Sequence, residues 1–319
     1  MEGLDHAAIT QLTAYATDTT PTNRSYRRGQ QLFCQWAFDH DIDINNFSRS
    51  DLLNFLTAAR SNNYSLNTLK LFKSAILKFH HHPAQFHNDV DIVSLFKKFA
   101  IDSPPVPLGK PPIDLSPTFK YIIDIYSQAA LQLKLANHRA AFLLGITGLL
   151  RPSDLHRIKL QQCSISQSGC LTLVISHPKE RRGGRPIIKH ITIHPHCTQQ
   201  LFCPVHAFKI LCDHPQACNH RPPDILFVDC NKPQIPVQLQ TISKWLINLV
   251  RRSTDIRPTP SVRSLGTDLA IKNGIPLDDV VTLGNWSSAA LVENHYCRER
   301  LTQTNATHFI LTSNAVQDI

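Results

Sequence analysis

Residues 101–117, IDSPPVPLGKPPIDLSP, hold six prolines and no aromatic residue. Proline fixes φ and carries no amide proton, so this stretch cannot continue a helix and favours extended or polyproline geometry. A chain of 319 residues interrupted here divides into two bodies, each with its own core, and 42% hydrophobic residues suffice for both. The expected division is residues 1–101, a proline-rich linker over 102–115, and residues 116–319. Ser116 would cap a new helix, with Pro117 in its first turn.

Ahead of the break the periodicity is helical. Tyr26, Phe33, Trp36 and Ala37 recur at helical spacing, and a second helix is expected over residues 50–60 with Leu52, Leu53, Leu56 and Ala59 inward. Leu66, Leu69, Phe72, Ile76 and Phe79 step by three and four, and residues 91–99 supply a short fourth helix. Four such helices make a small bundle with its own core. Arg24, Arg27, Arg28, Lys70, Lys73 and Lys78 decorate it; taken singly, each reads as part of a solvated helix face.

Beyond the break, apolar helices are expected over residues 117–133 and 137–149, the second running into GITGLLRPSDLHRIKL. Next, CLTLVISHPKERRGGRPIIKHITI reads as two strands around a Gly183-Gly184 turn. This hairpin carries Lys179, Arg181, Arg182, Arg185 and Lys189 against the single acid Glu180. Cys203, His206, Cys212, His214, Cys218 and His220 invite a zinc assignment, but no second clean ligand pair follows Cys203-x-x-His206. Core cysteines and a polar loop are expected instead. Leu226-Phe227 and a helix over 239–252 with Trp245, Leu246 and Val250 read as scaffold.

The net charge is 33 − 24 = +9. A basic chain of this kind points weakly to a polyanionic partner. No run of about 18 apolar residues occurs, so no membrane span is expected, and the first residues lack the pattern of a secretory signal. The nine cysteines are expected as thiols.

The most informative stretch is residues 257–296, RPTPSVRSLGTDLAIKNGIPLDDVVTLGNWSSAALVENHY. It reads as a helix opened by Pro260, a short helix after Pro276, a turn at Gly284-Asn285 and a helix capped at Ser287-Ser288. Arg263 lies on the first of these helices, Trp286 in the turn and Tyr296 late on the last. Singly, these would be an ion-pair arginine, a buried indole and a boundary aromatic. Their order and spacing, preceded by Arg151 and Asp154 in TGLLRPSD, resemble the active site of the tyrosine recombinases, the phage-integrase-like family. The phrase GNWSS…HY is most similar to recombinases of eukaryotic mobile elements of the Crypton and DIRS type.

That resemblance implies a mainly α fold with a small β-hairpin sheet. A SAM-like, core-binding helical bundle would clamp DNA, followed by an α+β catalytic domain. Arg151 and Arg263 would grip the scissile phosphate, and Trp286 would donate its indole N–H to it. Tyr296 would attack to give a 3′-phosphotyrosyl link, and Lys179 on the hairpin would protonate the leaving 5′-oxygen. Arg27, Arg28, Lys70, Lys73, Arg181, Arg182 and Arg185 would contact DNA phosphates, Arg181 and Arg182 being alternatives to Lys179 at the site. The resemblance further implies double-stranded DNA as partner, a dimer or tetramer on it, a terminal segment packed on a neighbouring protomer, and no metal, cofactor or ATP. It also implies a nuclear location in a eukaryote and a cytoplasmic, DNA-associated one otherwise.

One departure stands out. Pro260 occupies the place of the family's histidine three residues before the second arginine, so the usual base for the tyrosine hydroxyl is missing. His190, His194 and His295 are the candidates to stand in. The alternative is a DNA-binding protein of the same ancestry that no longer cuts. A metal-dependent Cys/His interaction module is the third reading.

Overall fold

In the computed structural model, residues 21–105, 110–126 and 131–298 are described. The chain divides into two compact units, Met1–Val106 and Pro107–Ile319, a division falling within the proline-rich stretch.

The first unit is a helical bundle: α1 Pro21–Asp39, α2 Arg49–Ser61, α3 Leu66–Ile76 and α4 Val90–Ile101. Each start after the first is set by a short polar side chain. Ser48 and Asp51 form a reciprocal capping box on α2, while Ser65 and Asp89 accept first-turn amides of α3 and α4. Phe33, Phe47, Leu52, Phe55, Leu56, Leu69, Phe72 and Ile76 form the core. A Cβ at Gly29 would come within 2.6 Å of Phe72 Cδ1, so α1 approaches α3 where α1 has no side chain. Phe79 falls outside α3, which ends at Ile76, yet it still packs against this core.

The second unit is built around a buried helix. Its elements are α5 Ser116–Tyr126, α6 Leu133–Thr147, α7 Pro152–His156, β1 Ser164–Ile165, β2 Leu171–Arg182, β3 Arg185–Ile193, α8 Pro204–Cys212, α9 Leu239–Val250, α10 Val262–Lys272, α11 Leu277–Gly284 and α12 Ala289–His295. α6 is buried on nearly every face, its polar Asn137 and Arg139 included. A Cβ on Gly266 would lie 2.3 Å from the Ile146 carbonyl oxygen, so α10 rests directly on the backbone of α6.

Two expected boundaries move. Leu133 belongs to α6 rather than to the preceding helix, because Gln132 is extended (ψ 145°) and starts a new element. Leu149 lies beyond the end of α6, in the left-handed region at φ 50°. The sheet is antiparallel in the order β1-β2-β3. Gly183 and Gly184, at φ 54° and 76°, close the β2–β3 hairpin, the left-handed pair that a tight two-residue turn needs. The register runs regularly from Leu171↔Ile193 to Ser176↔Ile188, then bulges before Arg181↔Pro186. No helix among the described residues is long and apolar enough to cross a membrane.

Candidate active site

The end of α6 sets up the first arginine. Gly148 closes the helix and the Leu150 amide reaches back to the Gly145 carbonyl at 2.9 Å, which places Leu149 in the left-handed conformation usually reserved for glycine. That conformation costs a side-chain-bearing residue about 1–2 kcal/mol. It turns the Leu149 carbonyl toward α10, where it accepts from Arg263 Nη1 at 3.0 Å. The chain then places Arg151 immediately before α7, its amide donating to Asp154 Oδ2 at 3.0 Å. Asp154 is fully buried and sits 3.8 Å from Arg151 Nη1 and 3.9 Å from Arg263 Nη1. One carboxylate thus holds both guanidinium groups in register.

Arg263 lies in the first turn of α10, which is capped by Ser261 rather than Pro260. It is 3% exposed. Besides Leu149, its Nη2 donates to the Gly284 carbonyl at 2.7 Å, so two of its five N–H donors hold backbone turns. Asn285, left-handed at φ 55°, reverses the chain after α11. This brings the Trp286 ring under the Arg263 guanidinium at 4.2 Å. Gly284 is obligatory there, since a Cβ would meet the indole at 1.6 Å. Trp286 in turn meets the Tyr296 ring edge-on, at 4.8 Å between centroids and 64° between planes. Tyr296 follows the last residue of α12 and is half-buried, its ring 5.9 Å from the Arg263 guanidinium carbon. Beneath lies a small apolar core of Leu149, Val280 and Val292. The fold therefore brings Arg151, Arg263, Trp286 and Tyr296 together.

The lysine it brings to them is Lys189 rather than Lys179. Along β3, Ile191 and Ile193 are buried while His190 and Thr192 are exposed, so the two-residue alternation turns Lys189 inward. It is 5% exposed. Burial pushes its ammonium below the usual lysine range. Asp154 and Glu180 oppose that push, and the two arginines reinforce it. Lys179 lies in the bulge and points to solvent. Its neighbour Glu180 turns inward and pairs with Arg151 Nη1. Burial, the largest single influence, favours the neutral Glu180 carboxyl, but the Arg151 hydrogen bond, a backbone hydrogen bond and the charges of Arg151 and Lys189 together outweigh it and hold the group below its ordinary value. For Arg151, burial pulls the guanidinium down while Glu180 and Asp154 hold it up, with a net rise.

Three cations, Arg151, Lys189 and Arg263, thus face two anions, Asp154 and Glu180, leaving one net positive charge. Lys189 Nζ, Arg263 Nε and Trp286 Nε1 are buried donors without a hydrogen-bond partner among the described residues. Native structures rarely tolerate buried unpaired donors without a functional reason. Asp154 Oδ1 and Glu180 Oε2 in the same cluster likewise lack a donor among the described residues.

The remaining expected residues are spread more widely. On the first unit, Lys70 and Lys73 border one hollow together with Lys97 and Phe96, while Arg27 borders another beside Phe38. Arg28 is exposed on α1. Arg181 and Arg185 are exposed at the hairpin tip, Arg181 Nη1 donating to the Gly184 carbonyl at 3.0 Å; the Arg182 side chain lies outside the described part. His190, His194 and His295 are all exposed, and His194 Nδ1 contacts Cys170 Sγ at 3.2 Å. Cys203 caps α8 and His214 Nε2 bonds the Leu131 carbonyl at 2.8 Å. Among the described residues no three His, Cys, Asp or Glu side chains are grouped to hold a metal. Sequence reading missed Lys189 and Glu180. A lysine in phase with inward-facing isoleucines was the available signal for the first, whereas nothing in the sequence reveals the bulge that turns in the second.

Residues 19–84 match the family described as phage integrase, N-terminal SAM-like domain. No curated protein matches the sequence. Among solved structures, the integrase of transposon Tn1549 in complex with circular intermediate DNA is similar at a TM-score of 0.57 and 13% identity, over 95% of this chain and 97% of that one. The recombinase XerH bound to difH substrate gives 0.55 and 13%, over 83% and 73%. A lambda integrase dimer bound to a core site gives 0.52 and 14%, over 95% and 94%. The fold is that of the tyrosine recombinases: a SAM-like helical unit, then a mostly helical unit with a three-stranded antiparallel sheet.

Proposed function

We propose that the protein is a site-specific DNA strand transferase working through a phosphotyrosine, on DNA sites held by more than one copy of the chain. The observation that carries this reading is the convergence of Tyr296, Trp286 and Arg263 with Arg151 and Lys189, among which three buried donors lack acceptors. The phenolic oxygen of Tyr296 attacks phosphorus in line with the 5′-oxygen, forming the 3′-phosphotyrosyl bond. The extra charge of the pentacoordinate state is met by Arg151, Arg263 and the Trp286 N–H. Lys189 passes its proton to the departing 5′-oxygen, an assignment favoured over Lys179 by burial and position. With proline at residue 260, the phenolic proton leaves to solvent. Attack by a partner strand's 5′-hydroxyl reverses these steps and rejoins DNA without ATP, because the bond energy stays in the phosphodiester to tyrosine. The similar structures solved with DNA support a DNA substrate, and the dimer supports assembly on it.

Pro260 favours a second reading, in which the same fold binds DNA without cutting it. Single-turnover cleavage of nicked duplexes drawn from the flanks of its own gene separates the two. Under the first reading wild type cleaves, and Arg263→Ala, still bound to DNA, is slower by at least about 100-fold. Wild type that binds but never cleaves would establish the second.

A further inference from the structure

Two residues past Tyr296 lies a buried charge that the chemistry above does not use. Arg298 is 3% exposed. Its amide donates to Asp268 Oδ1 at 2.9 Å and its Nε to the Pro111 carbonyl at 2.9 Å. Its own carbonyl accepts the Lys110 amide at 2.7 Å, and Lys110 Nζ donates to the His295 carbonyl. Three segments therefore meet at one point: the chain entering the second unit, the residues on either side of Tyr296, and α10.

The nucleophile needs such an anchor. α12 has seven residues and one fully buried side chain, Val292, too little to fix a residue lying past its end. Val292 holds the segment before Tyr296, and the Arg298 bonds hold the segment after it. Asp268 is itself 7% exposed and stands on the same helix as Arg263, about 7.5 Å further along its axis. Through Asp268 the tyrosine is referenced to the arginine it works beside. A buried guanidinium is costly unless paired, and the hydrogen bond its side chain makes here is from Nε to the Pro111 carbonyl, Asp268 being held by the backbone amide.

We infer that Arg298 is a positioning residue for Tyr296: its side chain ties the segment after Tyr296 to Pro111, while its backbone bonds to Asp268 on α10 and to Lys110 hold the same segment, so that the chain entering the second unit bears on where the nucleophile sits. This rests on the strand-transfer reading.

Arg298→Ala, Arg298→Lys and Lys110→Ala in the full chain test it, on nicked duplexes carrying either oxygen or sulfur at the bridging 5′ position. Sulfur leaves without a proton, so loss of a general acid is repaired by it, whereas a misplaced nucleophile is not. Arg298→Ala is expected to bind DNA as wild type does and to cleave about 100-fold more slowly with both leaving atoms, the penalty of roughly 1 Å of misplacement. Arg298→Lys recovers part of that rate by keeping one donor for Pro111, and Lys110→Ala, at an exposed residue, shows a smaller loss. Hydrogen exchange over residues 292–298 in DNA-free Arg298→Ala rises while that of α6 is unchanged. A folded Arg298→Ala that cleaves at the wild-type rate, or that sulfur restores, overturns the inference; should Arg298→Ala not fold, wild-type cleavage by Lys110→Ala does so. If wild type forms no adduct, the strand-transfer reading fails, and unaltered exchange at 292–298 would separately remove the anchor.

Discussion

Lys189 and Lys179 lie ten residues apart on one hairpin, and their surroundings differ in every respect that matters for proton transfer. One is buried among two arginines and two carboxylates; the other faces solvent. Lys189→Ala should slow single-turnover cleavage by about 100- to 10,000-fold, as loss of a general acid does, and Lys179→Ala only a few-fold. A general acid works only while protonated, so the rate falls as pH rises through its pKa. Because burial lowers the Lys189 pKa from 10.5, the alkaline limb of the wild-type rate profile should lie below that pH and vanish in Lys189→Ala with a sulfur leaving group. Glu180 makes a second residue-scale case. Its carboxylate occupies Arg151, where a phosphate oxygen is expected. Glu180→Gln should therefore tighten DNA binding several-fold at fixed salt, measured by fluorescence anisotropy; unchanged or weaker binding would mean that the carboxylate orients Arg151 and does not compete with phosphate. Arg151, Arg263, Trp286 and Tyr296 were legible in the sequence because spacing and order carried them. Glu180 was not, since one bulge between Ser176 and Arg181 reverses which side chains face in, and bulges leave no periodic trace.

The element scale shows how local conformation builds the hollow. Leu149 at φ 50° and Asn285 at φ 55° reverse the chain, side-chain-free Gly284 leaves room for the Trp286 indole, and Gly266 lets α10 lie on the backbone of α6. Gly266→Ala pushes a methyl to 2.3 Å from the Ile146 carbonyl, a backbone atom that cannot swing aside. The expected cost is about 1–3 kcal/mol, read as a lower chemical-denaturation midpoint; no shift would mean that α10 stands off from α6. The helix α6 holds a further titratable element. Burial beside Trp245, aided by Lys134, depresses His138 from 6.5 to about 4. Between those values the unfolded chain binds a proton that the native one refuses. This histidine's contribution is intact above pH 6.5 and is lost as pH falls toward 4, by about 2 kcal/mol after allowing for partial exposure. The melting temperature of His138→Phe should fall less than that of wild type between pH 7 and 4.5; parallel curves would contradict this. The sequence marked α6 as an apolar helix. It could not mark where the preceding helix stops, because Gln132 starts α6 with no side-chain cap hydrogen bond.

At the scale of the whole molecule, the chain clusters into two units, and each has its own core. Phosphate contacts position such a protein without specifying sequence, so affinity for arbitrary duplex should fall steeply with salt, with a slope of about −0.9 per phosphate neutralised. The measurement that decides most is the identity of the residue joined to DNA. Wild type trapped on a nicked duplex, digested and read by mass spectrometry, should carry its 3′-phosphate on Tyr296 alone, and Tyr296→Phe should bind the same DNA with no adduct. A covalent link to any other residue, or none from wild type seated on a duplex it binds, would contradict the assignment.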